Sequence, residues 1–284
     1  MLTLDQVSVR IGRATLLDGL SLAVEPGRVL AIVGPNGAGK TTALRLLAGE
    51  MRPTEGAVHL DRSPLASLDT NALAQRRAVL PQKSALAFGF TALDVVLLGR
   101  TPHRSTHRDN RLAAARAMER AGVHHLASRR YPTLSGGEQQ RVHLARTLAQ
   151  LDGGDATAGA DRYLLLDEPT SALDLAHQHT VLGVARQQAA AGVGVLTVLH
   201  DLNLAAQYAD RIAVLAEGAL VAIGSAEAVL TPAVIQQAFG ISVLVMQNPC
   251  ASCPLVVPMP GDGGDGVTDS VPVLDPPSEG EPPH

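Results

Sequence analysis

The stretch Val29-Leu30-Ala31-Ile32-Val33-Gly34-Pro35-Asn36-Gly37-Ala38-Gly39-Lys40-Thr41-Thr42 decides the fold. Its five leading apolar residues read as a strand buried on both faces. Gly34 to Thr41 then fit G-x-x-x-x-G-K-[ST] in full. A helix-like stretch, Lys40–Ala48, follows directly. The glycines let the backbone curl so that several N–H groups converge on phosphate oxygens. The helix N-terminus adds its positive end. Lys40 is placed to reach the terminal phosphates of a nucleotide, and the Thr41 hydroxyl to hold Mg²⁺. Lys40 is also one of only two lysines among 23 basic residues. A compact ammonium suits a phosphate pocket that a broad guanidinium would crowd.

Working outward, Tyr163–Leu166, Val195–Leu199 and Ile212–Leu215 are further short apolar runs. Helix-like stretches lie between them at Arg111–Ala121, Glu138–Leu151 and Leu175–Ala190. Strands alternating with helices predict an α/β fold with a mainly parallel core sheet. Leu2–Val9 and Leu20–Val24 alternate more and predict an antiparallel side sheet. The chain has 284 residues, 46% of them hydrophobic, enough for a sizeable core. A net charge of −4 with 2% aromatics and no Trp argues against nucleic acid as a partner. Two cysteines exclude a disulfide scaffold and suit a reducing compartment. The start Met1–Asp5 lacks the basic and apolar pattern of a signal peptide. Ala228–Gly261 carries no charge, but its five prolines argue against a spanning helix. Residues 212–284 hold eight acids and no Lys or Arg. From about Gly261 the chain reads as a disordered acidic tail, and Asp152–Asp161 as a surface loop.

Two more motifs carry chemistry. Tyr163-Leu164-Leu165-Leu166-Asp167-Glu168 is an apolar strand ending in two acids. Such strand ends deliver catalytic groups beside a phosphate loop. Asp167 is a candidate for holding Mg²⁺, and Glu168 for polarising an attacking water. Leu134-Ser135-Gly136-Gly137-Glu138-Gln139-Gln140-Arg141 opens a helix, with Ser135 and Glu138 spaced as a capping box. Ser135 and the Gly136 and Gly137 amides therefore form a second anion site at a helix N-terminus. One nucleotide does not need two such sites on one chain, so a second subunit is implied.

With these motifs the sequence resembles the ATP-binding subunits of ABC transporters, over about residues 1–240. The likeness also rests on Gln82 in Leu80-Pro81-Gln82, on Ser171-Ala172-Leu173-Asp174, and on His200 in Leu199-His200-Asp201. It implies an ABC-type P-loop NTPase fold: an α/β domain with a mainly parallel core sheet, an N-terminal antiparallel β-subdomain and a helical subdomain over about residues 83–150. The ABC domain is placed at 1–246 and a Pro/Gly-rich acidic tail at 247–284. ATP and Mg²⁺ are the implied cofactors. Gly34 to Thr42 would bind nucleotide, together with Ser135, Gly136, Gly137 and Glu138 of a second copy. Thr41, Gln82 and Asp167 would hold the metal. Glu168, His200 and Gln82 would be catalytic, with His200 on the γ-phosphate. Asp174 would lie in the loop crossing the dimer interface. The implied partners are a second copy, transmembrane permease subunits and, indirectly, a periplasmic or surface substrate-binding protein. The implied location is peripheral, on the cytoplasmic face of the inner membrane.

Within the family, Thr91–Val96 with Leu98–His103 resembles the ATPases of iron-chelate, haem and cobalamin importers. Leu173–Gln178 and Val198–Asn203 look closest to haem importers, with ferric siderophore or cobalamin as the alternative cargo. A soluble, non-transport ABC ATPase is the alternative class, disfavoured by the lack of long heptads and of a second phosphate loop. Three features depart from the simple pattern. Glu138 stands where many relatives have Gln. Ile11 stands where an aromatic ring commonly stacks on adenine. Cys250-Ala251-Ser252-Cys253 has the spacing of half a zinc site, whereas a closed site needs four ligands. The basic cluster Arg100, His103, Arg104, His107, Arg108 and Arg111 reads as a solvated face or, more sharply, as a surface for permease docking.

Overall fold

A computed structural model describes residues 1–82, 89–153, 159–171 and 173–260. Twelve strands and nine α-helices are assigned among the described residues, with three short 3-10 turns. The strands are β1 (Leu2–Ile11), β2 (Ala14–Val24), β3 (Val29–Val33), β4 (Glu55–Leu60), β5 (Ser63–Pro64), β6 (Arg77–Leu80), β7 (Tyr163–Asp167), β8 (Gly194–Val198), β9 (Arg211–Ala216), β10 (Ala219–Gly224), β11 (Val243–Gln247) and β12 (Pro254–Pro258). The helices are α1 (Lys40–Leu47), α2 (Thr70–Arg76), α3 (Ala92–Leu98), α4 (His107–Arg120), α5 (Gly136–Leu151), α6 (Leu175–Ala190), α7 (Leu202–Tyr208), α8 (Ala226–Val229) and α9 (Pro232–Phe239).

The core sheet has the order β10-β9-β3-β8-β7-β6. β9, β3, β8, β7 and β6 run parallel, and β10 pairs antiparallel at one edge. Every residue of β3, β7 and β8 is buried, as unbroken apolar runs require. Alternation still sorts their side chains. Leu30 and Ile32 face α1 and the N-terminal strands, while Ala31 and Val33 face α7, α8 and α9. β2, β1, β4 and β5 form the antiparallel side sheet. It covers α1 through Leu2, Leu4, Leu20 and Leu22, which pack with Leu44, Leu46 and Leu47. α3, α4 and α5 form the helical part, joined to β6 and β7 through Leu80, Leu164 and Leu166. Among the described residues no helix is long and apolar enough to cross a membrane.

Two expectations need correction. The boundary drawn at residue 247 cuts through a hairpin, because β11 pairs antiparallel with β12 from Val243↔Pro258 to Gln247↔Pro254. Its inner side buries Val243, Cys253 and Val256 in one cluster with Leu199, Leu204 and Ile235. Pro254 and Pro258 sit at the two ends of β12, where no interior ladder bond is lost. The acidic tail expected from Gly261 and residues 154–158 of the expected loop lie outside the described residues.

The basic cluster is also split. Arg100 is buried, with Nε donating to Asn110 Oδ1 at 3.0 Å. Its Nη1 donates to the Ala149 carbonyl at 2.6 Å and also to the Asp152 carbonyl. The guanidinium thereby satisfies carbonyls left open at the end of α5. His103 Nε2 lies 2.8 Å from the Gln150 carbonyl. Only Arg104, His107, Arg108 and Arg111 remain as the exposed part. Arg100→Met is expected to lower unfolding stability by about 2–4 kcal/mol, since it strands buried carbonyls. Charge reversal at Arg104 or Arg108 should change it by no more than about 0.5 kcal/mol. Urea unfolding midpoints at constant m-value check both.

Candidate nucleotide site

The turn leaving β3 is held by close approach. Gly34 has φ +154°, and a Cβ there would lie 2.1 Å from the Leu215 carbonyl oxygen of β9. Gly39, at φ +92°, is the N-cap of α1. A Cβ there would lie 2.6 Å from Leu17 Cδ2 and 2.7 Å from the Leu16 carbonyl oxygen. Only glycine fits either position. The loop Gly34–Gly39 thus closes over the start of α1, with its first-turn amides free of intrahelical partners. Lys40 is buried and donates from Nζ to the carbonyls of Gly34 and Pro35, both at 2.8 Å. Burial lowers the pKa of its ammonium, against the opposing pull of Glu168 and Asp167.

The two acids part at the end of β7. Asp167 is buried, and its Oδ1 accepts from the Thr41 hydroxyl at 3.1 Å. Burial raises its pKa, with the Thr41 hydrogen bond opposing that shift. Glu168 adopts φ +48°, which turns its side chain out of the strand. Its Oε2 accepts from Gln82 Nε2 at 2.5 Å. Its Oε1 lies 2.7 Å from His200 Nε2. The Glu168 side chain is 13% exposed and that of His200 45%. The structure therefore brings Lys40, Thr41, Gln82, Asp167, Glu168 and His200 into one cluster. The oxygens available to a metal are the Thr41 hydroxyl, an Asp167 carboxylate and the Gln82 amide oxygen, which lies on the other branch of the amide that faces Glu168. Hard oxygen donors of this kind suit Mg²⁺ completed by phosphate and water. Among the described residues no three His, Cys, Asp or Glu groups form a metal cage. Cys250 is exposed and Cys253 buried, at the turn joining β11 to β12.

Among the described residues, Ser135 to Glu138 share no hydrogen bond or ion pair with that cluster. Ser135 is the N-cap of α5 in a complete capping box, its N–H donating to Glu138 Oε2 at 2.7 Å. That backbone bond, more than any other contact, lowers the pKa of Glu138. The departure from Gln is thus a structural fit, because a carboxylate accepts this bond well. The Gly136 and Gly137 amides lie in the open first turn. Asp174 caps α6 in the same way, with Oδ1 2.9 Å from the His177 amide and 2.7 Å from His177 Nδ1. Ile11 is 58% exposed at the β1–β2 turn. One link was not legible in sequence: Gln140 Nε2 donates to the Pro169 carbonyl at 2.7 Å. It ties α5 to the turn after Glu168. Glutamine beside glutamine gives no local signal for which of the two reaches across.

Burying Asp167 costs stability when it is ionised, because its folded-state pKa is raised. The unfolded chain releases that proton at lower pH than the folded one, so stability falls as pH rises through the carboxylate range. Asp167→Asn is therefore expected to raise the urea midpoint of the nucleotide-free protein at pH 7. The gain should vanish below about pH 3.5, where Asp167 itself is protonated in both states. Paired unfolding curves at the two pH values check this.

Comparison with known proteins agrees with the geometry. The pattern of the ABC transporter family matches residues 17–171. Hemin import ATP-binding protein HmuV of Gloeobacter violaceus is 54% identical over 262 residues, covering 91% of this chain and 94% of that protein. The protein of the same description from Pseudomonas aeruginosa is 48% identical, covering 90% and 99%. Among solved structures, a putative metal-chelate type ABC transporter in an inward-facing conformation aligns with TM-score 0.75 at 27% identity, over 91% of this chain and 96% of that one. The dimeric structure of MJ0796, a bacterial ABC transporter cassette, aligns with TM-score 0.69 at 28% identity, over 79% and 98%. With a family match over more than half its length and relatives of such identity, the chain belongs to the ABC transporter family as an ATP-binding subunit, an ATPase coupled to transport.

Proposed function

We propose that this chain is the ATP-hydrolysing subunit of a haem importer, acting as a pair of copies beneath a separate transmembrane permease. The observation that carries the hydrolytic part is the Glu168 carboxylate, poised beside the phosphate loop with one oxygen on Gln82 and the other on His200. In this reading Gly34 to Thr42 cradle the triphosphate, and Lys40 turns from its loop carbonyls to the β- and γ-phosphates. Thr41, Asp167 and Gln82 would hold Mg²⁺, which when bound would supply positive charge to the phosphate oxygens. Glu168 takes a proton from water as the water oxygen bonds to the γ-phosphorus. The bond to the bridging oxygen breaks, and ADP and phosphate leave. His200 steadies the γ-phosphate and keeps Glu168 aimed. Ser135, Gly136 and Gly137 of the second copy close over the same phosphates, as a helix N-terminus standing apart from its own phosphate loop suits. Glu138 holds that turn open through its capping bond.

Haem as cargo is supported by the relatives described as hemin import proteins, which match across nine-tenths of this chain. The subunit would lie on the cytoplasmic face of the inner membrane, held by its permease. A substrate-binding protein would meet it only indirectly. The second reading, ferric siderophore or another metal chelate as cargo, is favoured by the likeness to the putative metal-chelate type transporter.

Glu168→Gln is expected to slow hydrolysis by about 10²- to 10⁴-fold, the scale of a lost general base. It should still bind ATP and accumulate as a dimer on gel filtration. Lys40→Ala should weaken ATP binding itself, measured by equilibrium titration. Normal turnover by Glu168→Gln would remove the base assignment. For cargo, the subunit is reconstituted with its permease in liposomes. ATPase stimulation is then compared between haem-loaded and ferric-siderophore-loaded binding proteins. Stimulation by the siderophore carrier alone would overturn the haem reading and leave the motor intact.

A further inference from the structure

Among the described residues, the hydrogen bonds between the C-terminal hairpin and α7 come from one side chain, Asn203. Asn203 lies in the first turn of α7, three residues after His200. Its Nδ2 donates to the Val256 carbonyl at 3.1 Å, and its Oδ1 accepts from the Val256 amide at 2.8 Å. A single amide thus supplies to β12 both bonds that a neighbouring strand would give. An open strand edge invites stray pairing, and here it is closed from α7. The contact is shielded, because Val243, Cys253 and Val256 of the hairpin are buried with Leu199, Leu204 and Ala205 around α7. The N-cap Asp201 fixes the same turn, its Oδ1 accepting from the amides of Asn203 at 2.7 Å and Leu204 at 3.0 Å. On the other side of His200, the Leu199 amide donates to the Ile32 carbonyl at 3.0 Å. The His200 ring is itself nearly half exposed, so little packing holds it. Its direction toward Glu168 is set by the backbone on either side.

We propose that Asn203 is a positioning residue through which the C-terminal hairpin β11–β12 holds α7, and with it His200, in register with Glu168. The proposal rests on the hydrolytic reading of Glu168 and His200. It makes the hairpin the outer stop against which the histidine-bearing turn is braced. Loosening it is expected to act first on the contact between His200 and Glu168, since the hairpin's hydrogen bonds reach α7 and not the phosphate loop.

Two variants break the contact from opposite sides. Asn203→Ala removes both bonds, and Val256→Pro removes the amide donor while also replacing a buried side chain, so Asn203→Ala is the cleaner of the two. Both are tested in the full chain assembled with its permease. Each is expected to lower kcat about 3- to 10-fold, the rate equivalent of one or two neutral hydrogen bonds, with KM and the Kd for ATP within about twofold. The double variant should be no slower than Asn203→Ala, since one contact cannot be lost twice. Amide hydrogen exchange over residues 254–258 and 199–206 should quicken in both. Faster exchange at 254–258 with unchanged kcat would overturn the proposal, and so would a parallel loss of ATP affinity, which marks general loosening. Should Asn203→Ala fail to fold, the same split between kcat and Kd in Val256→Pro decides. The two readings fail separately. Full turnover by Glu168→Gln removes the base assignment, whereas unchanged kcat in Asn203→Ala removes only the positioning role.

Discussion

The site depends on the parallel register of three neighbouring strands. Leu80 of β6 pairs with Leu166 of β7, and Asp167 of β7 pairs with Val198 of β8. Three strand ends therefore finish at nearly one level. The residues just beyond them, Gln82, Glu168 and His200, come within hydrogen-bond reach without any long excursion of the chain. The last adjustment is the left-handed backbone of Glu168, a conformation that costs about 1–3 kcal/mol in a residue with a side chain. It is held in place because the Glu168 carbonyl accepts from the Ser171 amide at 3.3 Å and the Ser171 hydroxyl at 3.1 Å. Strain in one residue is thus balanced by the short turn that follows it.

Much of this was legible in the sequence, for physical reasons. The phosphate loop, the paired acids and the Ser135–Glu138 cap are local chemistry. Each is written in adjacent residues, and each falls where a strand or helix begins or ends. The core strands were legible because burial on both faces forces unbroken apolar runs. What escaped was contact at long range. Arg100 looks like any exposed arginine until α5 ends beside it with open carbonyls. The hairpin was hidden by its prolines, which read as disorder in a string of letters but sit at the ends of β12. Asn203 gives no local sign at all, since its two partners lie 53 residues away on a strand that was itself not recognised.

Helix starts are where this chain keeps its options. α1, α5 and α6 treat their first amides differently. Asp174 and Ser135 each cap an amide of their own helix, through His177 and Glu138. Gly39 caps nothing with a side chain and leaves the α1 amides to an incoming anion. Helix α5, which opens at Ser135, is anchored through Gln140 to the turn behind Glu168. A shift of the helical part is therefore felt at Glu168 through this amide contact as well as through the close-packed core that joins α5 to β6 and β7.

The lysine of the phosphate loop has a consequence of its own. Two of the three donors on its ammonium are taken by the carbonyls of Gly34 and Pro35. On the proposed reading, nucleotide binding is then an exchange, in which the lysine gives up two neutral acceptors to meet charged ones. The net gain is the difference between those two sets of bonds, not the whole of the second. The same two carbonyls stand within reach when a charged ligand leaves, so on the proposed reading a departing product would return the ammonium to acceptors the loop itself supplies.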